Sequence, residues 1–478
     1  MTVQSEDGWS DELRATHLAL SVEDLKFREV ARHDPSLLQR STFRVLDDDP
    51  RLYYRQQPWP TFIGTAKLEH LKSMSLAVTA LLRKVPQRIF QNDPAKVCEF
   101  YGLPSAAVAA IILSEPNCIE ESMARGDLIE TTGGFKCIEI NFTPNVGGWE
   151  TSLLAEHFQA IPEIARFVER EGIRLSHTST LRVLFTQMLR MAERSRIPEN
   201  GELNVACIFD PDRLQVRGLP ETIVAFQKEF DQACRDLSLA LRGKVVACPY
   251  GQIIAAQGKL FHGKMPVHVI LELGLEQMPV AVYRTFKAGK VLLFNGPVSG
   301  VLSDKRNLAL LSATEDGATG AFSPQEREVI ARHIPWSRLV AAKKVRFRGE
   351  EAFLPDLLTT AREKMVLKEG SNYGGKGVFL GEVTPEARWE ELSRTALEKG
   401  GWIVQEKLES LPYLYQCGDS GCAPHDVIWG PFVIGNVYGG VILRMQPKAA
   451  GGAVNLSLAA TEGVVLEVVQ QNSPVPAQ

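Results

Sequence analysis

Two polar residues that alternate on a short apolar strand are the sharpest chemical signal in the sequence. In the segment KCIEIN, one residue separates Glu139 from Asn141, and side chains along a β-strand alternate between its faces, so both lie on one face. The apolar neighbours Cys137, Ile138 and Ile140 indicate a buried strand. Carboxylate and amide oxygens are the hard ligands that Mg²⁺ prefers. The pattern predicts a magnesium site here, with a polar strand edge as the alternative.

Arg125 and Asp127 come shortly before this strand, in the segment ARGDLIETTGG. The turn at residues 131–134 predicts a hairpin in which a first strand, carrying Asp127, pairs with the strand of Glu139. The Asp127 carboxylate can then reach the same site. Arg125 stands two residues earlier and shares the face of Asp127.

A glycine-rich segment, VLKEGSNYGGKGVFLG, has the composition of a phosphate-binding loop. A predicted strand ends at Lys368, and Gly374, Gly375 and Gly377 crowd the turn that follows. Glycines let backbone N–H groups approach phosphate oxygens, and lysines neutralise the charge. The string nearly matches the P-loop, yet Gly377 stands where a Ser or Thr should hold magnesium, and a β-type segment follows instead of a helix. The pattern favours a flap between two antiparallel strands, with a plain glycine-rich hairpin as the alternative.

Two weaker segments could complete a nucleotide site. The apolar strand WIVQEK runs into Gln405 and Glu406, which could serve an adenine and a ribose, although a simple strand end has the same pattern. In NGPVSGVLSDKRN, a glycine-punctuated turn places Lys305 at the start of a predicted helix, and alone this is an ordinary helix start.

The order of the predicted elements indicates an α/β layer followed by an α+β lobe. Strand, helix and strand succeed one another at 204–209, 226–242 and 245–248, which predicts a parallel sheet. After about residue 335, short strands with one helix predict an antiparallel sheet whose last strand is 453–456. The predicted domains are a helical and irregular N-terminal segment (1–90), a lobe carrying the magnesium strand (91–200), an α/β domain (201–335) and a nucleotide-binding lobe (336–470).

Composition and charge exclude several classes of partner. The 478 residues carry 53 basic and 57 acidic side chains without a dominant basic tract, which argues against nucleic acid and anionic membranes. The start, MTVQSEDGWSDELR, is unlike a secretory signal, and no apolar run approaches the roughly 20 residues that span a bilayer. Eight scattered cysteines suit a reducing compartment, so the expected location is the cytoplasm.

Taken together, the R-x-D, E-x-N, DK and KEGxxxGGKG segments resemble the ATP-grasp superfamily of ligases. The order is similar to its circularly permuted branch, which includes the synthetase domain of glutathionylspermidine synthetase. Ordinary members end with the E-x-N strand, whereas here Glu139 and Asn141 precede Lys305. The resemblance implies a fold of mixed α/β and α+β class: a circularly permuted ATP-grasp fold with a central mixed sheet and an antiparallel flap lobe.

The resemblance also implies a role for each matched residue, with ATP and Mg²⁺ as cofactors. Magnesium would be bound by Asp127, Glu139 and Asn141; contacts with the phosphates, adenine and ribose would come from Lys305, Lys368, Ser371, Gly374, Gly375, Gly377, Gln405, Glu406 and Leu408; and Arg125, Arg284 and Arg444 would contact the transferred phosphate.

The activity that the resemblance implies is ATP-dependent ligation of a carboxylate to an amine. MgATP would phosphorylate the carboxylate, and the amine would then attack the acyl phosphate. A carboxylate and the γ-phosphate repel each other, so magnesium, lysines and arginines must screen their approach. The substrates would be small and amino-acid-like or peptide-like, and a homodimer is a candidate assembly. Two alternatives are a small-molecule kinase and an ATP-binding partner protein without turnover.

Overall fold

The computed structural model describes residues 9–114, 122–197, 200–316, 320–372, 377–419, 421–454, 456 and 460–469. The helices of these residues are α1 (Asp11–Leu20), α2 (Val22–Ala31), α3 (Pro35–Leu38), α4 (Arg44–Asp48), α5 (Thr65–Arg83), α6 (Val85–Arg88), α7 (Pro94–Tyr101), α8 (Ala106–Leu113), α9 (Thr151–Ala160), α10 (Pro162–Glu171), α11 (Thr180–Arg194), α12 (Leu219–Asp236), α13 (Val280–Lys287), α14 (Val298–Leu302), α15 (Arg306–Ser312), α16 (Pro324–His333), α17 (Leu354–Thr360) and α18 (Glu386–Lys399). The strands are β1 (Thr61–Ile63), β2 (Met123–Thr131), β3 (Gly134–Asn141), β4 (Arg174–Ser176), β5 (Val205–Ile208), β6 (Val245–Cys248), β7 (Ile253–Ala256), β8 (Lys259–His262), β9 (Met265–Val267), β10 (Val269–Glu272), β11 (Leu292–Phe294), β12 (Ser337–Leu339), β13 (Lys344–Phe347), β14 (Glu350–Phe353), β15 (Met365–Glu369), β16 (Val378–Leu380), β17 (Trp402–Glu406), β18 (Tyr413–Cys417), β19 (Gly421–Ile434), β20 (Val437–Pro447) and β21 (Thr461–Val469).

An eight-stranded mixed sheet forms the centre of the fold. Its main path is β1-β21-β20-β19-β2-β3, with β18 paired to β19 and β4 paired to β21. The β1–β21 pair is parallel, and the other pairs are antiparallel. The sheet therefore places the early β2–β3 hairpin beside strands from the C-terminal part of the chain. The expected central mixed sheet is present, and its strands come from segments far apart in sequence.

The N-terminal segment is helical and packs against this sheet. Phe27 of α2 lies with its ring centroid 5.2 Å from Phe62 of β1 and 5.3 Å from Phe167 of α10. His17 Nδ1 and Asp24 Oδ2, both buried, are 2.5 Å apart and join α1 to α2. No single helix in the described ranges has the length and hydropathy to cross a membrane; α7 and α8 meet both criteria only when joined across a 108° bend.

The predicted parallel layer is present as a second sheet of four strands, β11-β10-β5-β6. The helix expected at 226–242 begins earlier, at Leu219, because Gly218 adopts a φ of +90° before it and Pro220 is tolerated in a first helical turn. It ends at Asp236, shortly before Ser238, which adopts a φ of +54°.

A third sheet, β12-β17-β15-β16, is antiparallel and forms the flap lobe with α17 and α18. The glycine-rich loop joins β15 to β16, whose register places Lys368 opposite Val378. A strand follows the loop, as predicted, and not the helix of a P-loop. Of the strand predicted at 453–456, Asn455 lies outside the described residues, and Ala453, Val454 and Leu456 are not in a strand, so the prediction is wrong for these three residues. Gly451 and Gly452, just before them, adopt positive φ, and β21 begins at Thr461.

Candidate active site

A cleft of about 1380 Å³ lies where the central sheet, the parallel layer and the flap lobe meet. The segments after β5 and β10 contribute Phe209 and Leu273 to its wall. Ligands of α/β proteins commonly bind outside the carboxyl ends of parallel strands. The predicted site residues that line the cleft are Arg125, Asp127, Glu139, Asn141, Lys368, Gln405, Glu406, Leu408 and Arg444.

The β2–β3 hairpin presents its polar residues in facing pairs. Arg125 is opposite Asn141 and Asp127 is opposite Glu139, so the expected hairpin is present and brings all four residues to the cleft. The register shifts immediately after Asp127. Such an irregularity re-aims side chains and is common beside functional sites.

Asp127 is held as a carboxylate between two arginines. Its Oδ1 lies 2.6 Å from Arg444 Nη2 and 3.3 Å from Arg125 Nε. Burial opposes ionisation, but the two guanidinium groups keep the pKa of Asp127 below its usual value. Burial and the charge of Arg444 lower the pKa of Arg125. Arg444 Nε has no hydrogen-bond partner among the described residues, so a donor is available for a ligand oxygen.

Two buried lysines converge on β3 from different segments. Lys368 Nζ donates to the carbonyl of Ile138 at 2.9 Å and to Gln405 Oε1 at 2.7 Å. Lys305 Nζ lies 3.4 Å from Glu139 Oε1 and also donates to the carbonyl of Asn372. Burial lowers the pKa of Lys368 to about 8, although Glu139 opposes this shift. The expected meeting of the flap lobe with the E-x-N strand is therefore observed.

The Asp304–Lys305 turn is joined to the flap lobe through its backbone. Lys305 N donates to the carbonyl of Gly370 at 2.9 Å. A Cβ added at Gly370 would lie 2.7 Å from Arg306 Nε and 2.9 Å from Asp304 Oδ1. Glycine is therefore needed there for close packing of the turn against the loop.

In the strand that was predicted to contact adenine and ribose, the side chains of Gln405 and Glu406 are hydrogen-bonded to other residues of the protein. Gln405 Nε2 donates to Ser337 Oγ at 3.0 Å, and its Oε1 accepts from Lys368, so this side chain positions the lysine. Glu406 Oε1 accepts from Arg348 Nη2 at 2.7 Å. Leu408 adds an apolar contact surface to the cleft.

Arg284, which was predicted to contact the transferred phosphate, lies outside the cleft. It is exposed on α13 and does not line the cleft, because that helix buries Val282, Thr285 and Phe286. Ser371 is also exposed and outside the cleft lining.

Of the three glycines predicted to form the flap, only Gly377 lies among the described residues. Gly374 and Gly375, with Lys376, lie outside the described residues. Gly377 adopts a φ of +71°, a conformation that favours glycine.

Sequence reasoning missed several carboxylates that line the cleft, among them Glu150 and Glu462. Glu462 of β21 is opposite Arg444 of β20. The residue pair is visible only once the strands are paired, and Glu462 has no motif of its own in the sequence. A buried glutamate in an apolar strand, TEGVVLEVV, was the one available signal.

No family model matches the sequence, and no curated protein matches it either. The fold is similar to that of a glutathione synthetase-like effector from Globodera pallida in its apo form, with a TM-score of 0.58, 10% identity, and coverage of 91% of this chain and 98% of that one. A putative gamma-glutamylcysteine synthetase from Methylobacillus flagellatus KT gives a TM-score of 0.38 at 10% identity, covering 78% of this chain and 84% of that one. The first similarity shows a shared fold along most of both chains.

Proposed function

We propose that this chain is an ATP-dependent ligase of the ATP-grasp type, with the order of elements circularly permuted, which joins a carboxylate to an amine. The convergence of Lys305 and Lys368 on the strand of Glu139 carries the proposal. Cations that are fixed beside hard oxygen ligands are what phosphoryl transfer requires. The fold shared with a protein described as glutathione synthetase-like supports it.

The donor set of the hairpin fits magnesium. Asp127, Glu139 and Asn141 offer two carboxylates and one amide from neighbouring positions of β2 and β3. Bound there, Mg²⁺ would neutralise phosphate charge. Lys305 and Arg444 already pair with Glu139 and Asp127, so cationic side chains hold both acidic side chains at the site.

The basic residues divide between two tasks. Lys368 is fixed by the Ile138 carbonyl and by Gln405, so its ammonium group is positioned to stabilise phosphate charge without reordering. Arg125 and Arg444 lie beside Asp127, where they can contact the oxygens of an acyl phosphate.

The size of the cleft also suits a ligase. A pocket for one small molecule typically measures about 300–1,000 Å³, whereas this cleft measures about 1380 Å³. It extends from the flap lobe to the N-terminal segment, where Tyr53 and Tyr54 line it. There is space for a nucleotide together with small amino-acid-like or peptide-like substrates. A closed flap would keep water from the acyl phosphate.

The proposal is tested with MgATP, a panel of amino acids and dicarboxylic acids, and hydroxylamine as a general nucleophile. Hydroxylamine intercepts an activated acyl group, so ADP and hydroxamate report carboxylate activation before the amine is known. We expect acid-dependent hydroxamate from the wild type, loss with Glu139→Gln, and wild-type rates with Glu363→Gln, which alters an exposed carboxylate elsewhere in the flap lobe. A stable phosphorylated product would indicate a kinase, and ATP binding without turnover would indicate a partner protein.

A further inference from the structure

A buried carboxylate in the wall of the cleft lacks a hydrogen-bond donor. Glu462 is 0% exposed. Its Oε2 accepts from Gln56 Nε2 at 2.8 Å, whereas its Oε1 accepts from no donor in the described part of the chain. A buried acceptor without a donor is costly, so few such oxygens persist in folded proteins without a functional reason. The unsatisfied Oε1 therefore indicates a ligand that donates a hydrogen bond.

The surroundings of Glu462 hold it rigidly in place. Residues 55–57 run beside β21: Glu462 N donates to the carbonyl of Arg55 at 2.9 Å, and Gln57 N donates to the carbonyl of Glu462 at 2.6 Å. Gln56 Oε1, next to this carboxylate, also lacks a donor among the described residues. The backbone of Glu462 is thus fixed on this side, and the hydrogen bond from Gln56 holds the Oε2 of its carboxylate.

Glu150, the residue that precedes α9, is the second carboxylate of this group. Its side chain interacts with that of Glu462, and both line the cleft. Burial, together with the charge of Glu150, raises the pKa of Glu462 well above its usual value. The two carboxyl groups therefore form one acidic pair in the wall of the cleft.

We propose that Glu150 and Glu462 form the site that binds the ammonium group of the amine substrate and accepts its proton. This inference rests on the proposed ligase function. A primary ammonium offers N–H donors and no acceptor, which matches the unsatisfied oxygens. Glu462 is opposite Arg444, whose guanidinium contacts Asp127, so the amine would be bound next to the place where the acyl phosphate forms.

The proposed step balances in atoms and charge. The ammonium transfers one proton to the carboxylate pair and becomes a neutral amine. Its lone pair forms the bond to the acyl carbon, the bond between that carbon and the phosphate oxygen breaks, and the second nitrogen proton leaves with the phosphate as hydrogen phosphate. The products are the amide, hydrogen phosphate and a protonated carboxyl group. Release of that proton to water returns the pair to its starting state.

The reaction test compares two nucleophiles after activation of the same acid by MgATP. Hydroxylamine is uncharged near neutral pH and does not have to lose a proton before it attacks, whereas n-butylamine arrives as an ammonium ion. We expect Glu462→Gln and Glu150→Gln to lower the n-butylamine rate at least about 100-fold more than the hydroxylamine rate, the scale of one general base. Glu467→Gln is the matched control, since Glu467 lies on the same strand but accepts from Ser176 and Thr178 outside the cleft. Equal losses with both nucleophiles, or no loss, would overturn the proposal.

A binding test does not depend on turnover. Ligand-observed NMR should show n-butylammonium bound to the wild type and to Glu467→Gln, but not to Glu462→Gln, and n-butanol bound to none of them. If Glu462→Gln fails to fold, the half-buried Glu150→Gln serves in its place. Binding that is absent from the wild type, or unchanged in these variants, would overturn the amine site. Specific binding without any hydroxamate formation would leave the amine site standing and reject the ligase.

Discussion

Lys368 carries a buried charge before any ligand binds, and its replacement by methionine tests the candidate site in two independent ways. The side chain is 4% exposed, and burial lowers its pKa from 10.5 to about 8. One pKa unit corresponds to about 1.4 kcal/mol, so the charged ammonium costs the free protein about 3 kcal/mol near neutral pH. Removal of the charge relieves this cost.

Lys368→Met also removes the hydrogen bonds to the Ile138 carbonyl and to Gln405 Oε1. Loss of these donors costs about 1–3 kcal/mol, which offsets most of the relief. We therefore expect the free energy of unfolding at pH 7 to lie within about 2 kcal/mol of the wild-type value. In the proposed reaction the turnover of ATP depends on this positioned charge, so we expect kcat/KM for ATP to fall about 100-fold or more.

The pH dependence of the unfolding free energy separates the cost of the buried charge from the loss of the hydrogen bonds. The pKa of Lys368 is lower in the folded state than in the unfolded state, so the cost is complete well below pH 8 and decreases as the pH rises from about 8 toward 10.5. Between pH 7 and pH 9 the wild type should gain about 1 kcal/mol of unfolding free energy relative to Lys368→Met. Comparison of the two proteins cancels the titration of all other groups.

Urea unfolding at several pH values measures this difference, with Lys344→Met as the control. Lys344 is exposed on β13, and its hydrogen bond to Glu351 raises its pKa, so it stays charged over this range. Its stability curve should run parallel to that of the wild type. If the unfolding free energy of Lys368→Met changed with pH as that of the wild type does, the argument from the buried charge would be refuted. Near wild-type ADP production by Lys368→Met would refute the proposed role of Lys368 at the phosphates.

Four further predictions concern the same site. Glu139→Gln should abolish turnover and keep the fold, which ADP release and circular dichroism would show; near wild-type ADP release would contradict the magnesium assignment. Asp127→Asn should in addition lower the free energy of unfolding by about 3–5 kcal/mol, because two buried guanidinium groups lose their counter-charge; a stability change as small as that of Glu139→Gln would contradict this. Lys368→Ala should lower kcat/KM distinctly more than Lys376→Ala, since a lysine fixed on a strand stabilises transfer better than one on a loop; the reverse order would indicate a P-loop. Gly377→Ala should lower both stability and kcat/KM, because an added Cβ meets atoms at 3.0 Å and the φ is +71°; unchanged values would show that this φ is not required.

Local patterns were enough to predict the parts of the site that are close in sequence. Alternation around Glu139 and the turn at 131–134 predicted the β2–β3 hairpin, because strand periodicity and turn composition are local properties. The crowded glycines followed by an apolar segment likewise predicted a hairpin at Lys368 in place of a P-loop helix. The mixed fold was predicted through the motifs and their order, and the similarity to a solved fold supports it.

The sequence did not determine which way a side chain points once the elements pack against one another. Arg284 was assigned to the site from a matched segment, but α13 turns its apolar side chains inward and leaves this residue exposed. Gln405 lines the cleft, where it was predicted to contact the nucleotide, and its side-chain amide is also hydrogen-bonded to Lys368 and Ser337. The type of a residue was sufficient to predict that it could belong to a site. Its hydrogen-bond partners depend on strands that come from distant parts of the chain.

The sequence by itself determined which elements could carry chemistry: a strand with Glu139 and Asn141 on one face, and a lysine-bearing hairpin with a glycine-rich turn. Both depend on interactions between residues close in the chain. Only the tertiary structure decided that Lys305 and Lys368 meet at that strand and that Glu462 lies opposite Arg444 in the wall of one cleft. These contacts join segments separated by long stretches of chain. They form because burial of apolar faces brings whole sheets together, and that burial has no local signature at the charged residues themselves.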